Sequence, residues 1–192
     1  MNDQVIKTNN ALTVDIQEIL ISAEEIQRRV HWLGQNISRD YLGRNPMLVG
    51  VLKGVLFFMA DLLRSITIPS EIDFIAVENY SSESREQGLV RMVKDLNSSI
   101  TGRHVIFIED VIDTGLTLNY LLQNLRTRQP ANLEVCVLFN KSDHRIIDIP
   151  LRYRGFDLPD RFVVGYGLDY KEKYRNLPFL GLLKPEIFRG RI

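Results

Sequence analysis

Residues 105–117 read Val105-Ile106-Phe107-Ile108-Glu109-Asp110-Val111-Ile112-Asp113-Thr114-Gly115-Leu116-Thr117. Four consecutive β-formers open this segment, and such a run is typical of a parallel strand that is buried on both faces. The carboxylates of Glu109, Asp110 and Asp113 come directly after it. Open parallel sheets bind their ligands at the carboxyl ends of the strands. The segment therefore predicts an α/β fold with a site at the end of a central strand.

The residues after these acids form a candidate anion-binding turn. Gly115 can adopt a positive φ, which lets backbone N–H groups approach a ligand closely. Thr117 is the expected cap of a helix over residues 118–125, where leucines recur at helical spacing. Amides at a helix N-terminus favour an anion such as phosphate. Acids beside such a turn suggest a sugar phosphate with a divalent cation, whereas the alternative is a buried strand that ends in solvated acids.

The whole chain has an ordinary globular composition. Its 192 residues suffice for one compact domain, and Lys plus Arg (24) equals Asp plus Glu (24). A neutral chain lacks the overall basic field that favours nucleic acid or an anionic membrane, although a local basic patch is compatible with it. The single cysteine, Cys136, cannot form an internal disulfide, which favours the cytosol. Neither a signal-peptide pattern nor an apolar run near the ~20 residues that span a bilayer is present, so we expect a cytoplasmic protein.

Apolar runs predict the remaining elements. Strands are expected at residues 12–17, 46–52, 72–77, 89–93, 105–108 and 133–139. Ser22 is the expected N-cap of a first helix, because two acids would lie in the first turn that follows it. A second helix is expected after Gly54. Its inward face would comprise Leu56, Met59, Ala60 and Leu63, with Leu62 as a further candidate.

Polar residues stand where several predicted strands end. Lys53 and Gly54 follow the strand at 46–52, and Lys141 follows the strand at 133–139. A lysine in such a loop can bind an anion at the carboxyl end of a strand, and the alternative is a solvated side chain. Residues 78–88 form a long polar run without periodicity, which is typical of a lid or of a plain loop excursion.

The motif at residues 105–117 resembles the phosphoribosyl diphosphate (PRPP) binding motif of type I phosphoribosyltransferases. That motif has apolar residues, two acids, two apolar residues and then Asp-Thr/Ser-Gly-x-Thr, and every position is filled here. Residues 155–170, with Phe-Val-Val-Gly-Tyr-Gly-Leu-Asp at 162–169, strongly resemble the purine-recognition segment of the hypoxanthine–guanine branch. Leu52-Lys53-Gly54 is similar to the pyrophosphate loop of that branch. The ordered motifs cover roughly residues 12–180.

The resemblance implies the type I phosphoribosyltransferase fold for a single domain of residues 1–192. A mostly parallel central sheet flanked by helices would form a core of about residues 38–160. The N-terminal segment and residues 160–192 would build a small hood over it. The resemblance also implies a strained peptide just before Lys53, sometimes a cis one, and the sequence leaves its isomer open. We further expect a homodimer or homotetramer.

For PRPP, the resemblance implies three groups of residues. Glu109 and Asp110 would hold the ribose hydroxyls. The 5′-phosphate would lie in a turn whose members are Asp113, Thr114, Gly115, Leu116 and Thr117, with Leu116 contributing only its amide. Pyrophosphate would be received by Lys53, Gly54 and Arg175. A lid that includes Tyr80 and Ser81 would close over PRPP and exclude water.

For the purine, the resemblance implies a further set of roles. Lys141 would donate to the exocyclic oxygen of a 6-oxopurine, while Phe162 would offer its ring face and Val163 its backbone. Asp113 would act as the general base near purine N7. Mg²⁺ would be held by Glu109, Asp110 and Asp169, largely through ribose hydroxyls or water. The three histidines have no metal-like spacing, and we interpret His31, His104 and His144 as structural or surface residues.

The implied reaction joins hypoxanthine or guanine to PRPP and gives the nucleoside 5′-monophosphate and pyrophosphate. Two alternatives stay open at this point. A related enzyme could use xanthine, uracil or adenine, although Lys141 and residues 162–169 argue against it. An RNA-binding regulator could be built on the same scaffold, although the zero net charge and the intact catalytic positions argue against that. We therefore expect neither nucleic acid nor a membrane as a partner.

Overall fold

Nine strands and four helices form the part of the chain that the structure, a computed structural model, describes, namely residues 13–79 and 90–188. The strands are β1 (Ile16–Ile21), β2 (Met47–Leu52), β3 (Glu71–Asn79), β4 (Val90–Lys94), β5 (His104–Ile112), β6 (Asn132–Asn140), β7 (Tyr153–Asp157), β8 (Val163–Val164) and β9 (Leu180–Leu183). The helices are α1 (Ala23–Asp40), α2 (Leu56–Ser65), α3 (Leu116–Arg126) and α4 (Pro185–Phe188). None of the described helices is long and apolar enough to cross a membrane.

A six-stranded sheet in the order β4-β3-β2-β5-β6-β7 forms the centre of the molecule. Its neighbouring strands are parallel, except that β4 runs antiparallel to β3 at the edge. The predicted mostly parallel sheet is therefore confirmed. The carboxyl ends of β2, β5 and β6 lie side by side, so the loops after Leu52, Ile112 and Asn140 meet at one edge.

The central position of β5 follows from its apolar residues. Ile106 and Ile108 are fully buried in a cluster with apolar residues of α1 and α2. Val105 and Phe107 are fully buried in a second cluster, where the four inward leucines of α3 pack. Both faces of the strand are thus covered, which explains its continuous apolar run.

A second, three-stranded sheet in the order β1-β9-β8 joins the N-terminal part of the chain to its C-terminal part. Ser22 caps α1 as predicted, because its hydroxyl accepts from the Glu25 amide and the Glu25 carboxylate accepts from the Ser22 amide. Ile21 and Leu180 of this sheet belong to the same buried cluster as Ile106. One hydrophobic core therefore connects the two sheets, while the predicted boundaries of core and hood stay a prediction.

Three local predictions were wrong in their boundaries. The strand expected at residues 12–17 begins only at Ile16, because Thr13–Asp15 form a 3-10 turn. Helix α3 begins at Leu116, and its N-cap is Gly115 with φ +83° rather than Thr117, because the left-handed turn at the glycine already starts the helix. Strand β5 extends to Ile112, because it keeps pairing with β6 beyond the apolar run.

The inward face of α2 also differs from the prediction. Leu56 is 51% exposed, because it is the first residue of the helix and directly follows a loop, whereas Phe58 is fully buried. Met59 and Leu62 are buried as expected. The helix therefore packs through Phe58, Met59 and Leu62.

Candidate active site

A cavity of about 320 Å³ opens at the edge where β2, β5 and β6 end. The residues that line it are Gly54, Asp110, Val111, Asp113, Lys141, Phe162, Val163, Leu168, Asp169 and Arg175. Apart from Val111 and Leu168, the sequence predicts all of these for the site. A larger groove of about 920 Å³ lies along β7 and shares none of the lining residues. The cavity is therefore the candidate site.

Glu109 and Asp110 form a desolvated acidic pair at the end of β5. Burial, together with the charge of Asp110, holds the pKa of Glu109 well above its usual range. Burial also raises the pKa of Asp110 to about 6. One oxygen of Glu109, Oε2, is buried without a hydrogen-bond partner. Asp110 lines the cavity and Glu109 does not, so the ribose role of the pair stays a prediction.

These acids fit a metal that is bound mainly through substrate. The described residues contain no group of three or more His, Cys, Asp or Glu side chains that could hold a metal ion by themselves. Asp110 and Asp169 nevertheless both line the cavity. Mg²⁺ prefers oxygen ligands and keeps several waters, and it commonly binds through one or two carboxylates plus phosphate. The donor set therefore fits Mg²⁺ carried by PRPP.

The loop after β2 packs directly against Asp110. The peptide between Leu52 and Lys53 is cis. A Cβ atom on Gly54 would overlap the Asp110 carboxylate, so a larger residue here would force that side chain to shift. Gly167, with φ +102°, lies on the other side, and a Cβ atom there would overlap the carbonyl oxygen of Gly54. The sequence did not predict Gly167 as a site residue. The Gly-Tyr-Gly pattern at residues 165–167 is the sequence feature that could have indicated it.

Two cations of the predicted pyrophosphate site meet above this loop. Arg175 donates from Nη1 to the Gly167 carbonyl at 2.8 Å, and its Nη2 lies 2.7 Å from Asp169 Oδ1. Its Nε is buried without a partner. Lys53 Nζ lies 3.1 Å from Glu172 Oε2, and Glu172 Oε1 also lies 3.2 Å from Arg175 Nη2. Glu172, which the sequence did not predict, thus connects the two; hydrogen bonds from Lys53 and Arg175 lower its pKa.

Asp113 lies exposed directly after β5, next to His144, for which the sequence predicted a structural or surface position. His144 Nδ1 is 3.8 Å from Asp113 Oδ1, and His144 Nε2 is 2.5 Å from Asp160 Oδ2. The hydrogen bond to Asp160 raises the pKa of His144 above its ordinary value. His144 is indeed exposed, but its place beside Asp113 could be seen only in the structure.

The turn after Asp113 has the shape expected of a phosphate cradle. Its first helical bond runs from the Asn119 amide to the Gly115 carbonyl at 2.8 Å, so the amides that precede it are not used within α3. The Thr114 carbonyl accepts from the amides of Ile146 and Ile147 at 3.0 and 3.3 Å, which anchors the turn. The Leu116 side chain is exposed, and its amide donates to Thr114 Oγ1 at 3.4 Å, so a ligand that used this amide would replace that bond.

The predicted purine residues Lys141, Phe162 and Val163 all line the cavity. The Phe162 ring is 45% exposed and stands at 84° to the Tyr170 ring, with centroids 5.7 Å apart. Val163 is buried in β8, and the Lys141 amide donates to the Ile112 carbonyl at 3.0 Å. That bond joins the loops that carry Asp113 and Lys141. The predicted lid residues, Tyr80 and Ser81, lie outside the described residues.

Replacing Glu109 by Gln is expected to stabilise the ligand-free protein by about 1–2 kcal/mol at pH 8, because a buried, repelled charge is removed. The raised pKa means that the folded state holds the Glu109 proton more tightly than the unfolded state. The difference in the free energy of unfolding between the Gln variant and the wild type should therefore shrink as the pH falls through that raised pKa, because the wild-type side chain also becomes neutral there. Urea unfolding at pH 8 and pH 5 measures it, with Glu186→Gln as an exposed control; equal stabilities at pH 8 would contradict it.

Comparison with known proteins agrees with this geometry. The family described as "Phosphoribosyl transferase domain" matches residues 17–171. The hypoxanthine-guanine phosphoribosyltransferase of Mycobacterium avium is 45% identical over 181 residues, which cover 91% of this chain and 89% of that protein. The bifunctional protein TilS/HprT of Listeria monocytogenes serotype 4b is 46% identical over 180 residues, or 94% of this chain. The chain spans only 28% of that longer relative.

Comparison of the fold with solved structures agrees with the comparison of sequences. A hypoxanthine phosphoribosyltransferase from Staphylococcus aureus superposes with a TM-score of 0.90 at 42% identity, over 95% of this chain and 99% of that one. Its arrangement of strands and helices is therefore shared along almost the whole length. Because the family model and these relatives match most of the chain, and eight of the predicted site residues line one cavity, the chain belongs to the type I phosphoribosyltransferases, in the hypoxanthine–guanine phosphoribosyltransferase family.

Proposed function

We propose that the chain transfers the 5-phosphoribosyl group of PRPP to N9 of hypoxanthine or guanine, giving IMP or GMP and pyrophosphate, and so serves purine salvage. The observation that supports this most is the convergence of distant motifs on one cavity. Gly54, Asp113, Lys141 and Arg175 come from four separate parts of the chain and line the same 320 Å³ space. That set brings together groups that we assign to pyrophosphate and to the purine.

The proposed chemistry explains the acidic pair. Breaking the anomeric bond develops positive charge on the ribose, and negative carboxylates near the ribose hydroxyls favour that charge. Glu109 and Asp110 would take this position; Asp110 lines the cavity, and Oε2 of the adjacent Glu109 is buried without a hydrogen-bond partner. When bound, Mg²⁺ would stabilise the departing pyrophosphate by neutralising its charge. Asp169, which lines the cavity beside Arg175, would orient its water ligands.

The remaining residues would bind the phosphates and move one proton. The amides and hydroxyls of Thr114 and Thr117 would clamp the 5′-phosphate at the start of α3. Lys53 and Arg175 would receive pyrophosphate, for which the planar guanidinium offers a fork of donors. Asp113 would accept the purine proton at N7, since it stands on the cavity wall between the phosphate turn and Lys141.

A panel of bases tests the proposed function. Hypoxanthine, guanine, xanthine, adenine and uracil would each be incubated with PRPP and Mg²⁺ and followed spectrophotometrically. We expect nucleotide formation with hypoxanthine or guanine and its loss on addition of EDTA. Turnover of another base alone would favour the related-enzyme alternative, and an absence of turnover with salt-dependent RNA binding would favour the regulator.

A homodimer or homotetramer and a cytoplasmic location stay predictions; sedimentation would measure the former.

Replacing Lys141 by Ala is expected to weaken the use of 6-oxopurines and to relax discrimination against adenine. A site built to hydrogen-bond one group rejects an analogue that lacks it, and losing one such bond changes kcat/KM by roughly 10–100-fold. The ratio of kcat/KM for hypoxanthine over adenine measures this effect. Lys173→Ala removes an exposed lysine that does not line the cavity and serves as the control. An unaltered ratio in Lys141→Ala would refute the assignment.

A further inference from the structure

One carboxylate, that of Glu172, spans the two cations to which we assign the pyrophosphate. Its Oε2 lies 3.1 Å from Lys53 Nζ, and its Oε1 lies 3.2 Å from Arg175 Nη2. Lys53 follows β2 and is 119 positions away along the chain, so only the fold brings these groups together. A carboxylate held between a lysine and an arginine occupies the place that an oxygen-rich anion would take.

We propose that Glu172 is a further residue of the pyrophosphate subsite, an internal anion that pyrophosphate and PRPP must displace. This inference rests on the proposed function of Lys53 and Arg175. Glu172 would thereby set the affinity for both ligands, because its two oxygens use the same N–H donors that phosphate oxygens need. With Glu172 in place, Lys53 and Arg175 cannot both be fully available to a ligand. Asp169 Oδ1 also lies 2.7 Å from Arg175 Nη2, so loss of Glu172 would free Lys53 and remove one of the two acidic partners of Arg175.

The backbone directs Glu172 towards these cations. Glu172 and the preceding Lys171 have φ values of +61° and +54°, which few non-glycine residues adopt. The Glu172 amide donates to Asp169 Oδ2 at 2.9 Å, and Tyr170 and Lys173 exchange backbone bonds of 3.2 and 3.1 Å around it. The turn at residues 170–173 is thus tied down at its base, and its tip carries the carboxylate to the subsite.

The contacts of Glu172 are suited to displacement. The side chains of Lys53 and Glu172 are 70% and 66% exposed, and ion pairs so exposed to water are weak. A diphosphate carries more negative charge than one carboxylate, so it should win the competition for the two cations. Because the side chain is exposed, it can turn out to solvent when a ligand arrives.

Titration calorimetry of pyrophosphate in the presence of Mg²⁺ tests the proposal on the wild-type chain and two variants. Glu172→Gln should bind pyrophosphate about 3- to 10-fold more tightly, since the competing charge is gone. Glu172→Asp keeps the charge and should stay closer to wild type. Glu24→Gln, an exposed acid in the first turn of α1, controls for the change in net charge. The KM for PRPP should fall in parallel in Glu172→Gln.

The possible failures can be told apart. A dissociation constant that is unchanged or larger in Glu172→Gln, with wild type binding normally, would overturn the role of Glu172 and leave the proposed function intact. If the wild-type chain itself bound no pyrophosphate, the assignment of Lys53 and Arg175 would fail first, and this inference with it. Thermal melts of all variants should coincide, because Glu172 is exposed.

Discussion

Replacing Asp113 by Asn is expected to lower kcat by about 10²–10⁴-fold, because positioned proton transfer contributes an effect of that size. Asp113 lines the cavity at the end of β5, between the phosphate turn and the loop that carries Lys141. Asn has nearly the same shape and cannot accept the proton. PRPP should still bind, since the amides of the following turn are unchanged. Initial rates with hypoxanthine and titration of PRPP measure the two effects separately.

A neighbouring acid provides the control for this variant. Asp143 is exposed in the turn before His144 and does not line the cavity. Asp143→Asn removes the same charge from the same surface and should retain wild-type kcat. An unchanged kcat in Asp113→Asn would exclude Asp113 as the general base. A loss of PRPP binding, in contrast, would indicate that Asp113 acts chiefly through the 5′-phosphate turn.

The sequence predicted those strands that can be recognised from their own residues. β2, β5 and β6 are buried on both faces, so their apolar runs are continuous and easily recognised. The start of β1 was misplaced, because it depends on pairing with β9 at the other end of the chain. Leu56 was assigned to the core because spacing alone does not show where a short helix meets a loop. Local sequence patterns therefore mispredict the boundaries and burial that depend on contacts with distant parts of the chain.

The same division holds for the candidate site. Gly54, Asp110, Asp113 and Lys141 were predictable because parallel strands bring their carboxyl ends to one edge. The contact of Glu172 with Lys53 was not, since it joins residues 119 positions apart. The isomer of the Leu52–Lys53 peptide was likewise invisible to sequence patterns. Motifs therefore located the groups of the site, while their mutual contacts required the fold.

Among the contacts around the site, the packing of Gly167 against Gly54 is the one whose disruption we expect to lower activity most. A Cβ atom there would overlap the carbonyl oxygen of Gly54, which leaves the pyrophosphate loop no room to keep its place. Gly54 in turn packs so closely on Asp110 that the loop cannot move towards the acids. Gly167→Ala should therefore displace the loop after β2 from its place between Gly167 and Asp110. A misplacement of about 1 Å can lower a rate by about 10²-fold, so we expect kcat/KM for PRPP to fall by at least that factor.

Gly102 separates this effect from simple backbone strain. It has φ +69°, and a Cβ atom there would meet nothing within 4 Å. Alanine at Gly102 should cost roughly 1–2 kcal/mol of stability, because L-residues are strained at positive φ, and alanine at Gly167 should cost more, because the overlap with the Gly54 carbonyl adds to that strain. Only Gly167→Ala should also lose transferase activity, measured at a temperature where both variants are folded. Equal activities of Gly102→Ala and Gly167→Ala would show that the loop tolerates displacement, and Gly167 would then matter for folding alone.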